Sequence, residues 1–147
     1  MKRFKFSLES VLKVREKTLV DEQTKLATLL SAVNKQQDKL NENINTLNLF
    51  KIKSEEYLQG NNFDPMTISN YAMYGAKLQK EINVQKELIK KMQFSVENQQ
   101  QRVKEAYIKV KSLENLEEKQ KERYLKELQL EEIKEIDDIV NSRRNIA

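Results

Sequence analysis

The chain has 147 residues, a formal net charge of +4, 34% charged residues, two glycines and one proline. Because cysteine and histidine are absent, disulfides, thiolate metal sites and the commonest general base near neutral pH are excluded. A composition rich in Leu, Glu, Lys and Gln and poor in helix breakers is typical of coiled coils and predicts an all-α protein.

The N-terminal segment is basic, with six Lys or Arg and two Glu in the first 17 residues. It begins like a signal peptide, but Glu9, Lys13, Arg15 and Glu16 interrupt the apolar core that such a peptide needs. Apolar runs stay far below the roughly 20 residues of a transmembrane helix. We therefore expect a cytoplasmic protein without direct membrane insertion.

The first helix is predicted over residues 7–59. Ser7 suits the N-cap, and Phe6 and Val11 suit a hydrophobic staple. An apolar residue then recurs every seven positions, which indicates a coiled coil. These residues are Leu12, Leu19, Leu26, Val33, Leu40 and Leu47.

The second core position of this helix can be assigned in two ways, and the sequence leaves both open. One choice contains Leu8, Leu29, Phe50 and Tyr57, and the other contains Leu30, Ile44 and Leu58. Four polar residues dilute the first choice, namely Arg15, Glu22, Gln36 and Asn43.

A turn is predicted over residues 60–65. Gly60 suits the left-handed residue that ends a helix, and Asp64 followed by Pro65 suits an N-cap and first helical position. A connection of about six residues is typical of an antiparallel helix pair.

The second helix is predicted over residues 66–144 and has a more regular heptad. One core position is occupied by Ile82, Ile89, Val96, Val103 and Val110, and the other by Tyr71, Leu78, Met92, Ala106 and Leu113. Gln85, Gln99 and Gln120 interrupt the second set, where they either fix the register or only soften the seam. Gly75 lies on the seam and either permits close helix approach or marks a local irregularity.

The two helices are unequal, at roughly 80 Å and 120 Å. Folded as one antiparallel hairpin, the first is exhausted near residue 118, which leaves an overhanging C-terminal helix. The overhang keeps apolar residues at helical spacing, namely Tyr124, Leu125, Leu128, Ile133, Ile136 and Val140. Such a stripe requires a cover, which is a foreign partner, the N-terminal residues or a second copy.

Five of the ten aromatic residues lie near the predicted turn, namely Phe50, Tyr57, Phe63, Tyr71 and Tyr74. They are either a binding hot spot or the filling of a widened seam. Glutamate pairs such as Glu117 and Glu118 are interpreted as solvated helix faces rather than acid–base or metal sites. We expect a chain without cofactor or enzymatic activity. Charges of mixed sign argue against a nucleic-acid partner.

Two segments resemble the flagellar FliJ proteins of the type III export apparatus. The N-terminal signature MKRFKFSLESVLKVRE, residues 1–16, matches the family's aromatic residues followed by L-E-x-[VL]-L-x-[VL]-R-E. The ending EIDDIVNSRR, residues 135–144, resembles the family's D-E-[IL]-A-x-x-R region, with Asp137-Asp138-Ile139-Val140 in place of Asp-Glu-Ile-Ala.

The resemblance implies a central-stalk-like coiled coil whose termini enter a hexameric export ATPase ring and whose other end approaches the membrane export gate protein. It allows export chaperones as further partners, and it implies peripheral association with the inner side of the cell membrane at the flagellar base. The implied ATPase-ring contacts are Phe4, Phe6, Leu8, Leu12, Arg15, Tyr124, Leu128, Ile133, Ile136, Val140, Arg143 and Arg144. The implied export-gate contacts are Asn43, Leu47, Phe50, Tyr74 and Leu78.

Two alternatives stay open from the sequence. A chaperone-like or structural coiled-coil adaptor would bind client helices along its length rather than at its ends. A continuous parallel dimer bent at Pro65 would use the same heptads.

Overall fold

Two long α-helices make up almost all of the structure, a computed structural model that describes residues 3–60 and 64–146. Helix α1 runs over Glu9–Gln59 and helix α2 over Pro65–Ile146, with 51 and 82 residues respectively. No strand occurs among the described residues. The fold is the predicted all-α helical hairpin, with α1 and α2 packed against each other.

The start of α1 differs from the prediction. The helix begins at Glu9, two residues later than expected, and Ser7 lies in a turn in which the Glu9 N–H donates to the Phe6 carbonyl at 3.2 Å. The Leu8 carbonyl accepts from the Leu12 N–H at 2.9 Å, so Leu8, and not Ser7, occupies the N-cap position. Burial of Phe6 explains the shift, since it draws the preceding chain onto α2.

The predicted cap of α2 is confirmed. An Asp64 carboxylate oxygen accepts from the Met66 N–H at 3.2 Å, and the Asp64 carbonyl accepts from the Ile68 N–H at 3.1 Å. Gly60 corrects the prediction for the end of α1, because its φ is not positive. Its N–H instead donates to the Tyr57 carbonyl at 3.2 Å, which closes α1 with a tighter final turn.

The structure decides which residues form the seam of α1. The six residues from Leu12 to Leu47 at intervals of seven are buried or half-buried, as predicted. The first choice for the second core position is correct, since Leu8 and every seventh residue up to Tyr57 are half-buried. Leu30 and Leu58, from the other choice, are exposed. In α2 both predicted core sets face inward, and Ile82 is the most buried, at 2% exposure.

The chain divides into two compact units. The terminal unit comprises Met1–Glu22 and Arg102–Ala147, and the turn unit comprises Gln23–Gln101. Each unit contains a segment of α1 and a segment of α2. In the turn unit the helices are antiparallel, because Asn43 contacts Gln85 whereas the later Phe50 contacts the earlier Tyr71.

Each unit has its own small core. The core of the turn unit consists of Leu40, Leu47, Leu78, Ile82 and Ile89, with Ile44 packed against it. The core of the terminal unit consists of Phe6, Leu12 and Val110, with Phe4, Leu8, Leu19 and Leu113 packed against it. Burial of each large apolar side chain stabilises the pair by about 1.5–3 kcal/mol.

Candidate functional site

The most exposed apolar surface of the terminal unit is the end of α2. Every residue of 129–145 is exposed, and the large apolar side chains there are between 45% and 67% exposed. We call residues 129–146 the overhang. Since an α-helix turns about 100° per residue, Ile133, Ile136, Ile139 and Val140 fall within an arc of about 120° and form one apolar face.

The overhang begins later than the predicted residue 118, because the segment before α1 covers part of α2. The rings of Phe4 and Tyr124 lie 5.6 Å apart, and Tyr124 and Leu128 are half-buried. The N-terminal segment thus covers Tyr124 at the start of the predicted stripe. Leu125 and the residues from Ile133 onward are exposed.

The twelve predicted ring-contact residues divide into three classes of burial. Phe6 and Leu12 are buried in the core of the terminal unit, so their side chains stabilise that unit itself. Five are half-buried, namely Phe4, Leu8, Arg15, Tyr124 and Leu128. Five are exposed, namely Ile133, Ile136, Val140, Arg143 and Arg144. Contact of these residues with an ATPase ring stays a prediction.

Arg15 lies at a shallow cleft of the terminal unit. The cleft has a volume of about 150 Å³, and Arg102 and Lys109 of α2 also line it. Arg15 occupies the second core position of α1, and the buried Ala106, which has a small side chain, also lines the cleft. A long charged side chain can bury its stem while its head reaches water, which explains how arginine is accommodated at a core position.

The overhang carries its charge in two blocks. Residues 131–138 hold five acidic side chains and one lysine, and Arg143 and Arg144 follow in the last turn of α2. Basic residues in a last turn interact favourably with the negative end of the helix dipole. The surroundings of the apolar face are therefore mainly acidic, with Lys134 among the acidic residues and two arginines beyond its end.

Near the turn, Phe50 is the centre of an aromatic cluster. Its ring lies 4.8 Å from that of Tyr74 and 5.5 Å from that of Tyr71, both in edge-on geometry, and Tyr71 lies 5.3 Å from Tyr57. A Cβ added at Gly75 would lie 3.2 Å from Phe50 Cε1, so this glycine permits the close approach of the ring. The structure favours the seam-filling interpretation for Phe50, Tyr57 and Tyr71. Phe63 lies outside the described residues.

The five predicted gate-contact residues lie together in the turn unit but are not equally accessible. Leu47 and Leu78 are buried in its core, and Asn43 and Phe50 are half-buried. Asn43 donates a hydrogen bond to Gln85 at 2.9 Å. Tyr74, at 46% exposure, is the most accessible of the five. Contact with a membrane gate stays a prediction.

The prediction from sequence missed several exposed apolar residues. Ile139 belongs to the apolar face of the overhang, and its spacing of three from Ile136 would have placed it there. Met66 and Met73, in the first turns of α2, are also strongly exposed. The heptad pattern gives no indication of them, because they lie outside both core positions.

Within residues 3–60 and 64–146, neither helix contains a stretch apolar enough to span a lipid bilayer.

Comparison with known proteins identifies the family. A family model described as "Flagellar FliJ protein" matches residues 4–145, nearly the whole chain. Searches of curated proteins and of solved structures each found no match. The family match agrees with the N-terminal signature, with the breaker-poor sequence and with the helical hairpin. This chain therefore belongs to the flagellar FliJ protein family, whose members are components of the flagellar export apparatus.

Proposed function

We propose that this export component is a non-catalytic central stalk of the hexameric export ATPase ring, acting in the cytoplasm at the inner side of the membrane, at the flagellar base. The overhang is the observation that carries the proposal. Its apolar face is exposed over Ile133–Val140, whereas Tyr124 and Leu128, on the preceding part of α2, are half-buried. An exposed apolar face of this kind is expected to bind a partner.

The proposed mechanism is asymmetric contact with a ring. One helix end inside a ring of like subunits touches some subunits more than others, so it gives them different nucleotide affinities. By linkage, a chain that binds the assembled ring more tightly than the free subunits must stabilise the ring. Arg15, Arg143 and Arg144 supply the guanidinium groups for polar contacts with acidic side chains of the ring.

The overhang can be tested with a truncation and a pair of matched variants. A chain ending at Leu128 should keep both cores and lose stimulation of ATP hydrolysis by the export ATPase. Ile136→Lys together with Ile139→Lys should have the same effect in the full chain, because both side chains lie on the apolar face. Asn141→Lys together with Asn145→Lys is the control, since both residues are exposed and lie about 140° and 180° around the helix from Ile136.

The measurements are co-purification with the hexameric ATPase and its rate of ATP hydrolysis with each variant. Full stimulation by the truncated chain would contradict the stalk role. Equal loss with the Asn141→Lys and Asn145→Lys control would show that added positive charge anywhere on the overhang is harmful, so the apolar face would not be the contact.

We further propose that the aromatic cluster of the turn unit contacts the membrane export gate, with Tyr74 as the most accessible residue. Tyr74→Ala should weaken capture of the purified gate protein, whereas Val84→Ala, at another exposed position of α2, should not. Capture of export chaperones by the same surface, with no capture of the gate, would instead support the adaptor alternative.

A further inference from the structure

A pair of amides interrupts the apolar seam of the turn unit. The Asn43 side-chain N–H donates to the Gln85 side-chain oxygen at 2.9 Å, and the Gln85 N–H donates to the Gln36 backbone carbonyl at 3.5 Å. Asn43 lies between the buried Leu40 and Leu47, and Gln85 lies between the buried Ile82 and Ile89. The amides thus satisfy each other across the two helices, in the middle of a hydrophobic core.

The apolar residues around this pair leave the register of the two helices poorly determined. They recur every seven residues on both helices, so sliding one helix by seven residues again places apolar side chains opposite each other. In each displaced register, at least one of the two amides loses its hydrogen-bond partner. One displacement places Asn43 opposite Leu78 and Gln85 opposite Gln36, and the other places Asn43 opposite Met92 and Gln85 opposite Phe50. A seam amide without a hydrogen-bond partner is costly, so both displacements are penalised.

We propose that the Asn43–Gln85 pair fixes the register of α1 against α2 in the turn unit and excludes pairings displaced by one heptad. The pair thereby determines that Phe50 meets Gly75 and Tyr74. Asn43 is therefore a positioning residue, which sets the place of the aromatic side chains near the turn. This inference is independent of the proposed function, because it concerns pairing within the chain.

The full chain offers a direct measurement of register. It contains no cysteine, so cysteines introduced at Lys35 and Lys77, both exposed, are the only attachment sites for spin labels. Each lies eight residues before a member of the amide pair, on helices that run in opposite directions. About 24 Å of helix rise therefore separates them along the axis, and a slide of one heptad changes this separation by about 10 Å.

The proposal predicts the sign of the change in distance. In the parent chain, double electron–electron resonance should give a single distance between the two spin labels. Asn43→Leu should add a second, shorter distance, because Gln85 recovers an amide partner only in the displaced register that faces Gln36. The variant should also lower the melting temperature, by about 3–8 °C. Asn43→Leu with Gln85→Leu should melt at or above the parent temperature and still give more than one distance.

The control is a second amide pair in the same unit. Gln79 donates to Asn83 at 3.1 Å, but both residues are exposed and both belong to α2. Gln79→Leu with Asn83→Leu should keep the single parent distance. The exchanged pair, Asn43→Gln with Gln85→Asn, should keep it too, since the amides still match. A single parent distance in both Asn43→Leu and the double leucine variant would overturn the proposal.

Discussion

Gly75 gives the sharpest prediction about stability. Alanine is favoured over glycine in a helix interior by about 1 kcal/mol, so Gly75→Ala would be stabilising on an open helix surface. Here the new Cβ would lie 3.2 Å from Cε1 and 3.8 Å from Cδ1 of Phe50. The ring cannot retreat freely, because its edge-on contacts with Tyr71 and Tyr74 would be disturbed.

The two effects can be compared directly. Overpacking of this kind costs about 1–3 kcal/mol, which exceeds the gain in helix propensity. We expect Gly75→Ala to lower the free energy of unfolding by about 1 kcal/mol, which is about 3 °C in melting temperature for a chain of this size. In a Phe50→Leu background the ring is absent, so Gly75→Ala should instead raise the free energy of unfolding by up to about 1 kcal/mol.

The assay is urea and thermal denaturation of the full chain, followed by circular dichroism, for the four chains of this double-mutant cycle. Ala76→Gly, at an exposed position next to Gly75, measures the difference in helix propensity between alanine and glycine alone. If Gly75→Ala stabilises the chain equally with and without the Phe50 ring, the close approach is not a constraint and the reasoning is refuted.

Three further predictions concern burial, capping and the N-terminal segment. Ile82→Ala should lower the free energy of unfolding by about 2–5 kcal/mol because it leaves a cavity in the core. Val84→Ala, at an exposed position, should change it by less than about 0.5 kcal/mol. Equal values from urea denaturation would contradict the assigned seam. Asp64→Ala should lower the free energy of unfolding by about 1 kcal/mol because the α2 cap is lost. Tyr57→Phe should lower it by about 0.5–1.5 kcal/mol, since the Tyr57 hydroxyl accepts from the Asp64 N–H at 2.8 Å. Unchanged melting temperatures would show that these hydrogen bonds contribute nothing to stability in solution. Phe4→Ala should speed amide hydrogen exchange in the segment before α1, and unchanged exchange there would show that the Phe4–Tyr124 contact does not hold it.

The fold could be predicted from the sequence because its determinants are periodic and local. Apolar residues every seven positions, a single cluster of helix breakers, and Asp64 before Pro65 are sufficient to predict two long helices joined by one turn, and they favour an antiparallel pair. The register of α1 could not be predicted in the same way. Its second core position contains polar residues, and the sequence does not show that Asn43 finds an amide partner 42 positions later.

The errors have local physical causes. Ser7 has the right chemistry for a cap, but burial of Phe6 determines where α1 begins. Helix lengths alone place the start of the overhang near residue 118, because they leave out the residues before α1, of which Phe4 contacts Tyr124. The predicted ring contacts rest on the family resemblance and on helical spacing, and neither distinguishes the buried Phe6 and Leu12 from the exposed Ile136.

The overhang is also a helix that does not need to nucleate. Its hydrogen-bond ladder continues from the paired part of α2, so each further residue adds by propagation alone, without the cost of forming a new helix nucleus. The rate of amide hydrogen exchange should therefore increase progressively toward residue 146, instead of being equal at all positions of the overhang. A partner that closes on Ile133–Val140 meets backbone that is already helical. Most of the conformational entropy of that segment is lost on folding, not on binding, so association should be faster and tighter than for a segment that folds only when bound.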